Sequence, residues 1–340
     1  MKVLSFVIPA YNSQQFLDKG IPSMLLPEVM DKLEIIIVND GSKDATPEVA
    51  QGYCDRYPEV VRLISQENKG HGGALNTGCA AAQGKYLKVV DADDWVQTQN
   101  LPAFIAQLEQ CESDVVLTHF NTVDISNGEI RGWKSSPADF NKVYTFDEIM
   151  ARWPDFERVL TFHGMTYRTD FYHQNTIGLS EKVFYEDHEF ATFPCCCAKS
   201  ISAFDLFIYD YRIGDVNQSV SQANQLKRIG HLETVLRRMV SEYGKLPEGA
   251  GKAYVVKKIK VVLMSYLVTA LLVHPEKKTG RALAAEQMAL CRKDAPAVYD
   301  LVKGKYQVFT AMNRLHITKA MWDGVMNSKL YSKIRNRACR

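Results

Sequence analysis

The chain has 340 residues, 46% of them hydrophobic and 24% charged, which is the composition of a globular protein with a sizeable core. Its 41 lysine and arginine residues nearly balance 39 aspartate and glutamate residues, and the resulting net charge of +2 excludes the concentrated basic surface of a general nucleic-acid-binding protein. The eight cysteines show no CxxC spacing, and the first residues lack the apolar run and cleavage site of a signal peptide. These features predict neither a disulfide framework nor a zinc site, and they favour the cytoplasm.

The first third of the chain alternates short apolar runs with longer helical patterns. We predict buried strands at 3–8, 34–38, 60–64, 86–90 and 115–117, and helices at 13–26, 45–57, 73–83 and 99–111. Strands that alternate with helices of this length build βαβ units, and therefore a mostly parallel sheet flanked by helices. Ligands bind such sheets at the carboxyl ends of the strands. The polar clusters that follow each strand are therefore the candidates for function.

The second part of the chain is predicted to be mainly helical. Asn127-Gly128 indicates a tight hairpin turn, and the segments after Gln218 with helical spacing are 226–240, 252–273, 280–292, 297–312 and 318–336. The apolar stretch 261–273 is about thirteen residues long, too short for a membrane span of roughly twenty, and predicts a buried core helix. We place the boundary between two domains near residue 220, giving 1–220 and 221–340.

Two neighbouring predicted strands end in residues that suit a nucleotide. Tyr11 follows Pro9 at the end of the first strand, where its ring can stack on a nucleobase, and Asp40 follows the second strand, where it can accept a hydrogen bond from a base N–H. Taken alone, each has an ordinary alternative, a loop tyrosine and a helix-capping aspartate. Their occurrence on neighbouring strands favours a nucleotide-binding site.

The fourth predicted strand runs directly into three carboxylates, Asp91, Asp93 and Asp94. Like charges at this spacing repel one another unless a cation lies between them. Hard divalent ions prefer oxygen ligands, and diphosphate oxygens can complete their coordination. The cluster therefore predicts a metal–diphosphate site that holds Mn²⁺ or Mg²⁺.

In this order, the segments PAYN, VNDGSKDAT, ENKGHGGALNTGCAAAQGKY and DADDW resemble those of the family 2 inverting glycosyltransferases of GT-A fold. The resemblance is strong over residues 3–95 and continues more weakly to about 220. It implies a GT-A-type α/β catalytic domain at 1–220 with a helical extension at 221–340. It also implies which residues bind each part of the substrate. The nucleotide is held by Pro9, Tyr11, Asp40 and Asp91, and a phosphate is contacted by Lys69. The metal is held by Asp93, with Asp91 beside it.

A later element, Glu186-Asp187, resembles the Glu-Asp pair of the same family, which implies that Asp187 is the catalytic base. The alternative is an acidic first turn of a helix. The resemblance places Glu186, His163 and Arg212 on the acceptor side. For His163, the alternative is a purely structural role. Arg212 could contact the diphosphate, or it could form an ion pair with Asp205, Asp210 or Asp215. Pro194 predicts that the helix after Asp187 is short or kinked.

The sequence lacks the Gln-x-x-Arg-Trp element of processive synthases, and a segment from Tyr211 to Ser219, seen in non-processive members, stands in its place. The resemblance therefore implies a non-processive enzyme that moves a hexose or N-acetylhexosamine from a UDP-sugar to a hydroxyl of a saccharide or lipid-linked saccharide, in cell-surface polysaccharide biosynthesis. One alternative is a non-catalytic sugar-nucleotide-binding or scaffold protein. A sugar-1-phosphate nucleotidyltransferase is less favoured, because no glycine follows the first strand before Gly20.

The last residues form a basic amphipathic pattern. No acidic residue follows Asp323, while apolar residues from Val325 onward fall near one helical face among five cations: Lys329, Lys333, Arg335, Arg337 and Arg340. Such a segment can lie on the anionic inner face of a cell membrane, which predicts a peripheral contact. A helix packed on the domain with a solvated basic tail is the alternative.

Overall fold

A computed structural model of the chain describes residues 2–215 and 222–326. Ten strands are present in these residues: β1 Leu4–Ala10, β2 Leu33–Asn39, β3 Val61–Ser65, β4 Tyr86–Val89, β5 Trp95–Val96, β6 Val115–Asp124, β7 Ile130–Trp133, β8 Val143–Tyr144, β9 Met165–Arg168 and β10 Ile201–Ile213. The helices of the first 215 residues are α1 Gln14–Met24, α2 Thr46–Arg56, α3 Gly70–Ala81, α4 Leu101–Gln110, α5 Phe146–Ala151, α6 Trp153–Phe156, α7 Thr169–Asn175 and α8 Asp187–Phe190. Those that follow are α9 Gln222–Lys227, α10 Ile229–Tyr243, α11 Ala250–Val268, α12 Lys277–Asp294, α13 Pro296–Arg314 and α14 Lys319–Met326.

The strands form one sheet in the order β3-β2-β1-β4-β9-β6-β10-β5, with β7 paired to β6 and β8 paired to β10. The four strands β3, β2, β1 and β4 are parallel, as the sequence predicts. Beyond them β9 runs antiparallel to both β4 and β6, while β10 is parallel to β6. The predicted α/β class, with a sheet flanked by helices and a helical C-terminal region, is confirmed.

The central strands are buried on both faces. In β1 the side chains of Leu4, Phe6 and Ile8 pack into one apolar cluster, while Val7 packs into the cluster on the opposite face. Strand β2 alternates in the same way, and each of its seven residues is buried. Because successive side chains of a strand point to opposite faces, a strand covered on both sides is largely apolar, with few polar residues such as Ser5 and Glu34. This is why the mainly apolar runs of the sequence identify these strands.

Helix α3 lies unusually close to the sheet. A Cβ atom added at Gly78 would meet Cγ1 of Val7 at 2.4 Å and Cγ2 of Val38 at 2.9 Å. Since real Cβ atoms do not approach other atoms so closely, a larger residue at Gly78 would push α3 away from β1 and β2. The glycine therefore sets the depth of α3, and with it the position of the helix start beside the ends of these two strands.

Two further predictions are confirmed in the first 215 residues. Gly128 has φ +77° in the turn between β6 and β7, the conformation that the Asn-Gly pair indicates. Helix α8 ends at Phe190, four residues before Pro194, so the helix that begins at Asp187 is short. Prolines cannot donate an amide hydrogen to the preceding turn, which explains why the helix does not extend through this position.

The described residues divide into two compact units. The first contains the residues up to 215 together with Pro247–Val255, and the second contains 222–246 and 256–326. The assignment of 247–255 to the first unit has no signal in the sequence, because helix α11 runs without interruption from Ala250 past the end of this segment. The predicted boundary near 220 lies outside the described residues and stays a prediction.

The second unit is built from helices whose apolar residues recur at helical spacing. In α10 the residues Leu232, Val235, Leu236, Met239 and Val240 are buried, as the pattern predicts. The apolar stretch 261–273 forms the end of α11 and the π-helical turn Thr269–Val273, and most of it is buried. Within the described residues no helix has both the length and the apolarity that crossing a membrane requires. The predicted helix at 318–336 is described only as α14, and the rest of it lies outside the described residues.

Candidate functional site

The loops after β1 and β2 are tied to each other at the carboxyl edge of the sheet. The backbone N–H of Asn12 donates to Oγ of Ser42 (3.0 Å), and Oδ1 of Asn12 accepts from the backbone N–H of Lys43 (2.8 Å). Asn12 has φ +50°, a left-handed conformation that asparagine tolerates better than most residues. Tyr11 at the end of β1 remains half exposed, with 50% of its surface accessible. The ring is therefore held on a defined loop and is open to a ligand.

Asp40, at the end of β2, is buried and oriented by hydrogen bonds. Its Oδ1 accepts from Nε2 of Gln66 (2.7 Å) and from the backbone N–H of Lys69 (2.8 Å). Its backbone carbonyl accepts from Nδ2 of Asn68 (2.9 Å). These donors fix the carboxylate beside the start of α3. Lys69 thus contributes its main chain here while its side chain is exposed, and its predicted phosphate contact stays a prediction.

The segment 180–184 lies directly over the start of α3, and two glycines allow this approach. Gly70 has φ +78°, and a Cβ atom there would meet the backbone nitrogen of Lys182 at 2.7 Å. A Cβ atom at Gly72 would meet the carbonyl oxygen of Ser180 at 2.2 Å. The backbone N–H of Lys182 donates to the carbonyl of Lys69 (2.8 Å). The run of glycines in the sequence therefore brings two parts of the chain, more than a hundred residues apart, to one pocket wall.

These elements enclose a pocket of about 490 Å³ at the strand ends. It is lined by Pro9, Ala10, Tyr11, Asp40, Asn68, Gly70, His71, Ala74, Lys182, Val183 and Phe184. Three of the predicted nucleotide-binding residues, Pro9, Tyr11 and Asp40, therefore lie in one cavity. Phe184, which is 38% exposed, adds a second accessible aromatic ring. Sequence reasoning missed His71, Lys182 and Phe184, because their proximity to the strand ends depends on how the chain folds back.

The three carboxylates after β4 have different environments. Asp94 is buried, and its two oxygens accept from Oη of Tyr209 (2.5 Å) and from the backbone N–H of Arg212 (2.7 Å). Burial, together with the charges of Asp93 and Asp91, raises the pKa of Asp94 well above its ordinary value. Burial and the charge of Asp91 also raise the pKa of Asp93, whose side chain is one-third exposed. Two of the three carboxylates are thus destabilised in the charged form, as the predicted like-charge crowding requires.

Asp91 is joined to Glu186 through the imidazole ring of His71. Nε2 of His71 lies 2.8 Å from Oδ1 of Asp91, and Nδ1 lies 2.5 Å from Oε1 of Glu186. Burial lowers the pKa of His71, but the two carboxylates outweigh this effect and hold it well above its ordinary value. In turn, although burial acts in the opposite direction, His71 lowers the pKa of Asp91. The ring therefore offsets part of the negative charge at the site.

His163 lies on the other side of the acidic residues, in an aromatic cage. Its ring stacks on Tyr211 with 4.2 Å between centroids, and it also contacts Tyr209 and Phe120. Burial lowers the pKa of His163 to about 4, so the ring is neutral at pH 7. Each of Asp91, Asp94 and His163 has a ligand atom within 4.8 Å of the others. The structural role that the sequence left open for His163 thus has physical support in these ring contacts.

The donor atoms near Asp91 fit a hard divalent cation. Carboxylate oxygens are the ligands that Mg²⁺ and Mn²⁺ prefer, and a cation would relieve the repulsion that raises the pKa of Asp93. Asp94 is less suited to be a ligand, because Tyr209 and Arg212 already occupy both of its oxygens. Asp91 belongs to the cluster with Asp94 and His163, and the assignment of Asp91 and Asp93 as the metal ligands stays a prediction.

The remaining predicted residues surround this cluster. Arg212 pairs with Oδ2 of Asp215 at 3.0 Å and lies 3.6 Å from Oδ2 of Asp93. Of the three acidic residues that the sequence suggests as partners of Arg212, Asp215 is the one that forms the ion pair. A contact of Arg212 with the diphosphate stays a prediction. Asp187 begins α8 directly after the buried Glu186, and its charge acts on both His163 and Tyr211. The structure thus brings Asp187, Glu186, His163 and Arg212 to the same acidic edge of the sheet.

Comparison with known proteins agrees with this geometry. The model of the family described as glycosyl transferase family 2 matches residues 5–176, which is half of the chain. The uncharacterized glycosyltransferase EpsJ of Bacillus subtilis is 28% identical over 214 residues, and the match spans 62% of this chain and 61% of EpsJ.

Solved structures with the same fold include two complexes with sugar nucleotides. Residues 1–349 of TarS from S. aureus, in complex with UDP-GlcNAc, superpose with a TM-score of 0.64 at 19% identity, covering 93% of each chain. The mannosyltransferase PcManGT of Pyrobaculum calidifontis, in complex with GDP-Man and Mn²⁺, gives a TM-score of 0.51 at 18% identity, covering 92% of this chain and 84% of PcManGT. At these identities the likeness is one of fold. Together with the family match, it leads to one conclusion: the chain belongs to glycosyl transferase family 2.

Proposed function

We propose that this chain is an inverting, non-processive glycosyltransferase that moves a hexose or N-acetylhexosamine from a UDP-sugar to an acceptor hydroxyl. The observation that carries the proposal is the continuous site formed by the 490 Å³ pocket and the acidic residues, which meet at His71. The acceptor is a saccharide or lipid-linked saccharide used to build cell-surface polysaccharide. The enzyme works in the cytoplasm, with its basic C-terminal segment in peripheral contact with the inner face of the cell membrane.

The pocket suits the nucleotide end of the donor. A half-exposed Tyr11 and an exposed Phe184 offer faces for base stacking, and the oriented carboxylate of Asp40 suits a base N–H donor. Lys182 lines the same pocket and carries a positive charge suited to a diphosphate. The UDP-GlcNAc complex of TarS, which shares the fold, supports a uridine nucleotide as the donor.

The acidic residues suit the metal. Asp91 and Asp93 would hold Mn²⁺ or Mg²⁺, and the Mn²⁺ complex of PcManGT supports a divalent ion in this fold. When bound, the ion supplies positive charge that supports the diphosphate as a leaving group. His71 and Arg212, both next to these carboxylates, add positive charge from the protein itself.

Asp187 is the proposed catalytic base. It accepts the proton of the acceptor hydroxyl as the hydroxyl oxygen forms a bond to the anomeric carbon of the sugar. The bond from that carbon to the diphosphate breaks on the opposite face, and UDP leaves with the bonding electrons, so the configuration inverts. The stacked rings of Tyr211 and His163 are close enough to Asp187 for its charge to act on both groups, so they border the proposed base.

Two matched variants test the proposal on a panel of UDP-sugars, with and without Mn²⁺. Asp187→Asn should lower turnover by roughly 10²–10⁴-fold, the usual contribution of a general base, with little change in UDP affinity. Asp93→Ala should abolish turnover and also weaken the affinity for UDP in Mn²⁺. Asp55→Ala, an exposed site on α2, is the control. Metal-dependent UDP binding without turnover of any UDP-sugar by the wild type would instead indicate a scaffold protein.

A further inference from the structure

The ring of His71 lies between two carboxylates that come from distant parts of the chain. Asp91 belongs to the loop after β4, and Glu186 directly precedes α8, 115 residues from His71 in sequence. His71 itself stands in the first turn of α3. One side chain therefore joins three parts of the first unit: the start of α3, the loop after β4 and the segment before α8. The ring nitrogens of His71 lie 2.8 Å from the Asp91 carboxylate and 2.5 Å from the Glu186 carboxylate.

The ring is bonded on both of its sides. Nε2 lies within hydrogen-bond distance of Oδ1 of Asp91, and Nδ1 lies within hydrogen-bond distance of Oε1 of Glu186. Because both nitrogens of the planar ring are used, the contacts fix the orientation of the ring as well as its position. The bridge from Asp91 to Glu186 is therefore a direct link made by one side chain.

Glu186 depends on this link for its position. The residue is only 3% exposed, and in the part of the chain that the structure describes, its Oε2 has no hydrogen-bond partner. On its other side it meets α3 at Gly72, where an added Cβ atom would lie 3.0 Å from Cγ of Glu186. A buried carboxylate is stable only when it is paired, and His71 supplies the pairing.

The backbone that leads to Glu186 needs external support. Lys182 has φ +56° and Tyr185 has φ +76°, values that side-chain-bearing residues adopt at a cost. Such conformations persist where the surrounding contacts fix them. The contact of Glu186 with His71 comes immediately after Tyr185 and immediately before Asp187, so it fixes the point from which the proposed base projects.

We infer that His71 is a positioning residue that couples the donor side of the site, at Asp91, to the segment that carries Asp187. This inference rests on the proposed function, since it assigns the donor to one end of the bridge and the base to the other. Binding of the nucleotide at the acidic loop then stabilises the segment before α8. Conversely, loss of the contact at Glu186 weakens nucleotide binding at Asp91.

A double-mutant cycle measured by UDP binding tests the coupling. Calorimetry in Mn²⁺ would compare the wild type with His71→Phe, Glu186→Ala and the double variant. UDP lacks the sugar that is transferred, so a direct contact between Glu186 and that sugar does not affect the result. We expect Glu186→Ala to weaken UDP binding about threefold or more when His71 is present and not to weaken it further in His71→Phe. Equal effects of Glu186→Ala in both backgrounds would overturn the inference.

Turnover provides a second readout that a purely structural role would not reproduce. His71→Phe should lower kcat by about 10²-fold, as expected for a misplaced base, but should have little effect in an enzyme that already carries Asp187→Asn. An undiminished effect in that background contradicts the positioning role. His173→Phe is the matched control, because His173 bonds the carbonyl of Cys79 on α3 and should act additively with Glu186→Ala.

The outcomes separate the two proposals. A wild type that binds UDP but turns over no UDP-sugar contradicts the proposed function, whereas the binding cycle still reports on the bridge. A wild type that does not bind UDP contradicts both. If thermal melting shows that His71→Phe does not fold, the same cycles with His71→Gln, which keeps one donor, should show a weaker form of the same coupling. If the effects of His71→Gln and Glu186→Ala on UDP binding simply add, the coupling through His71 is contradicted.

Discussion

Lys88 shows how a single buried residue supports the site. It lies on β4, is fully buried, and donates from Nζ to the carbonyls of His163 (2.8 Å) and Met165 (3.1 Å). Since Met165 begins β9, the lysine links this antiparallel strand to β4, the strand that leads to Asp91. Burial lowers the pKa of Lys88 to about 7. The link is therefore formed by a group that is close to losing its charge at neutral pH.

This pKa predicts a pH-dependent contribution to stability. The ordinary pKa of the lysine is 10.5 and the folded value is about 7, so between these values the unfolded chain binds the proton more tightly than the folded chain. The free energy of unfolding of the wild type, relative to Lys88→Met, should therefore rise with pH from 7 to about 10, with a slope of up to about 1.4 kcal/mol per pH unit. Urea unfolding of both proteins at pH 7, 8 and 9 measures this difference. A constant difference across that range would show that burial does not depress the pKa.

At the scale of elements, the approach of the segment 180–182 to α3 shapes the pocket wall. This contact requires the absence of a side chain at Gly72, where a Cβ atom would lie 2.2 Å from the carbonyl oxygen of Ser180. The clash involves backbone on both sides, and neither can rotate away as a long side chain would. The two segments can accommodate a larger residue only by separating.

Gly72→Ala should therefore destabilise the fold by about 1–3 kcal/mol or more and weaken UDP binding, because the pocket wall moves. Gly52→Ala is the matched control, since Gly52 lies within α2 and an added Cβ atom there meets nothing within 4 Å. That change should stabilise the protein by about 0.5–1 kcal/mol, the usual gain when alanine replaces glycine in a helix. Chemical denaturation measures both. If Gly72→Ala left the free energy of unfolding unchanged or raised it, the segment 180–182 would be able to move away from α3 without loss of stability, contrary to this prediction.

The sequence predicts those elements whose pattern is local. Strands β1 to β4 and helices α1 to α4 are confirmed with small shifts at their ends, because each strand is a short run rich in β-branched and aliphatic residues and each helix lies between two such runs. Strands β5, β8 and β9 have only two to four residues, too few for a period to emerge. Their place is fixed by partners far along the chain, and this is why the sequence does not predict these three antiparallel strands.

The same distinction holds for the candidate site. Asp40 and Asp91 follow predicted strands, so their position at the sheet edge follows from the strand ends. His71 has no such signal, because its role depends on Glu186, which reaches it only through tertiary folding. Lys182 and Phe184 likewise enter the pocket through a loop whose path depends on the glycines of α3. Contacts of this kind are set by close packing and cannot be derived from spacing in the sequence.

At the scale of the whole molecule, the charge of the chain is unevenly distributed. The net charge is only +2, yet the five cations from Lys329 to Arg340 follow the last acidic residue, Asp323. Residues 327–340 lie outside the described residues, so the amphipathic pattern of this segment rests on the sequence. A near-neutral protein with a basic end is suited to a surface of opposite charge, and a lipid-linked acceptor would place substrate on such a surface.

This proposal predicts that membrane binding depends on the cations of the last residues. Full-length protein should sediment with phosphatidylglycerol vesicles at low salt and should stay in solution with phosphatidylcholine vesicles. Each nearby cation contributes about 1 kcal/mol, so a version ending at Asp323 should lose most of this binding. A full-length variant with Lys329, Lys333, Arg335 and Arg337 changed to Gln keeps the apolar residues and should behave like the truncated protein, because a short apolar face alone binds weakly. Equal binding by all three proteins, or by none, would favour a packed helix with a solvated basic tail.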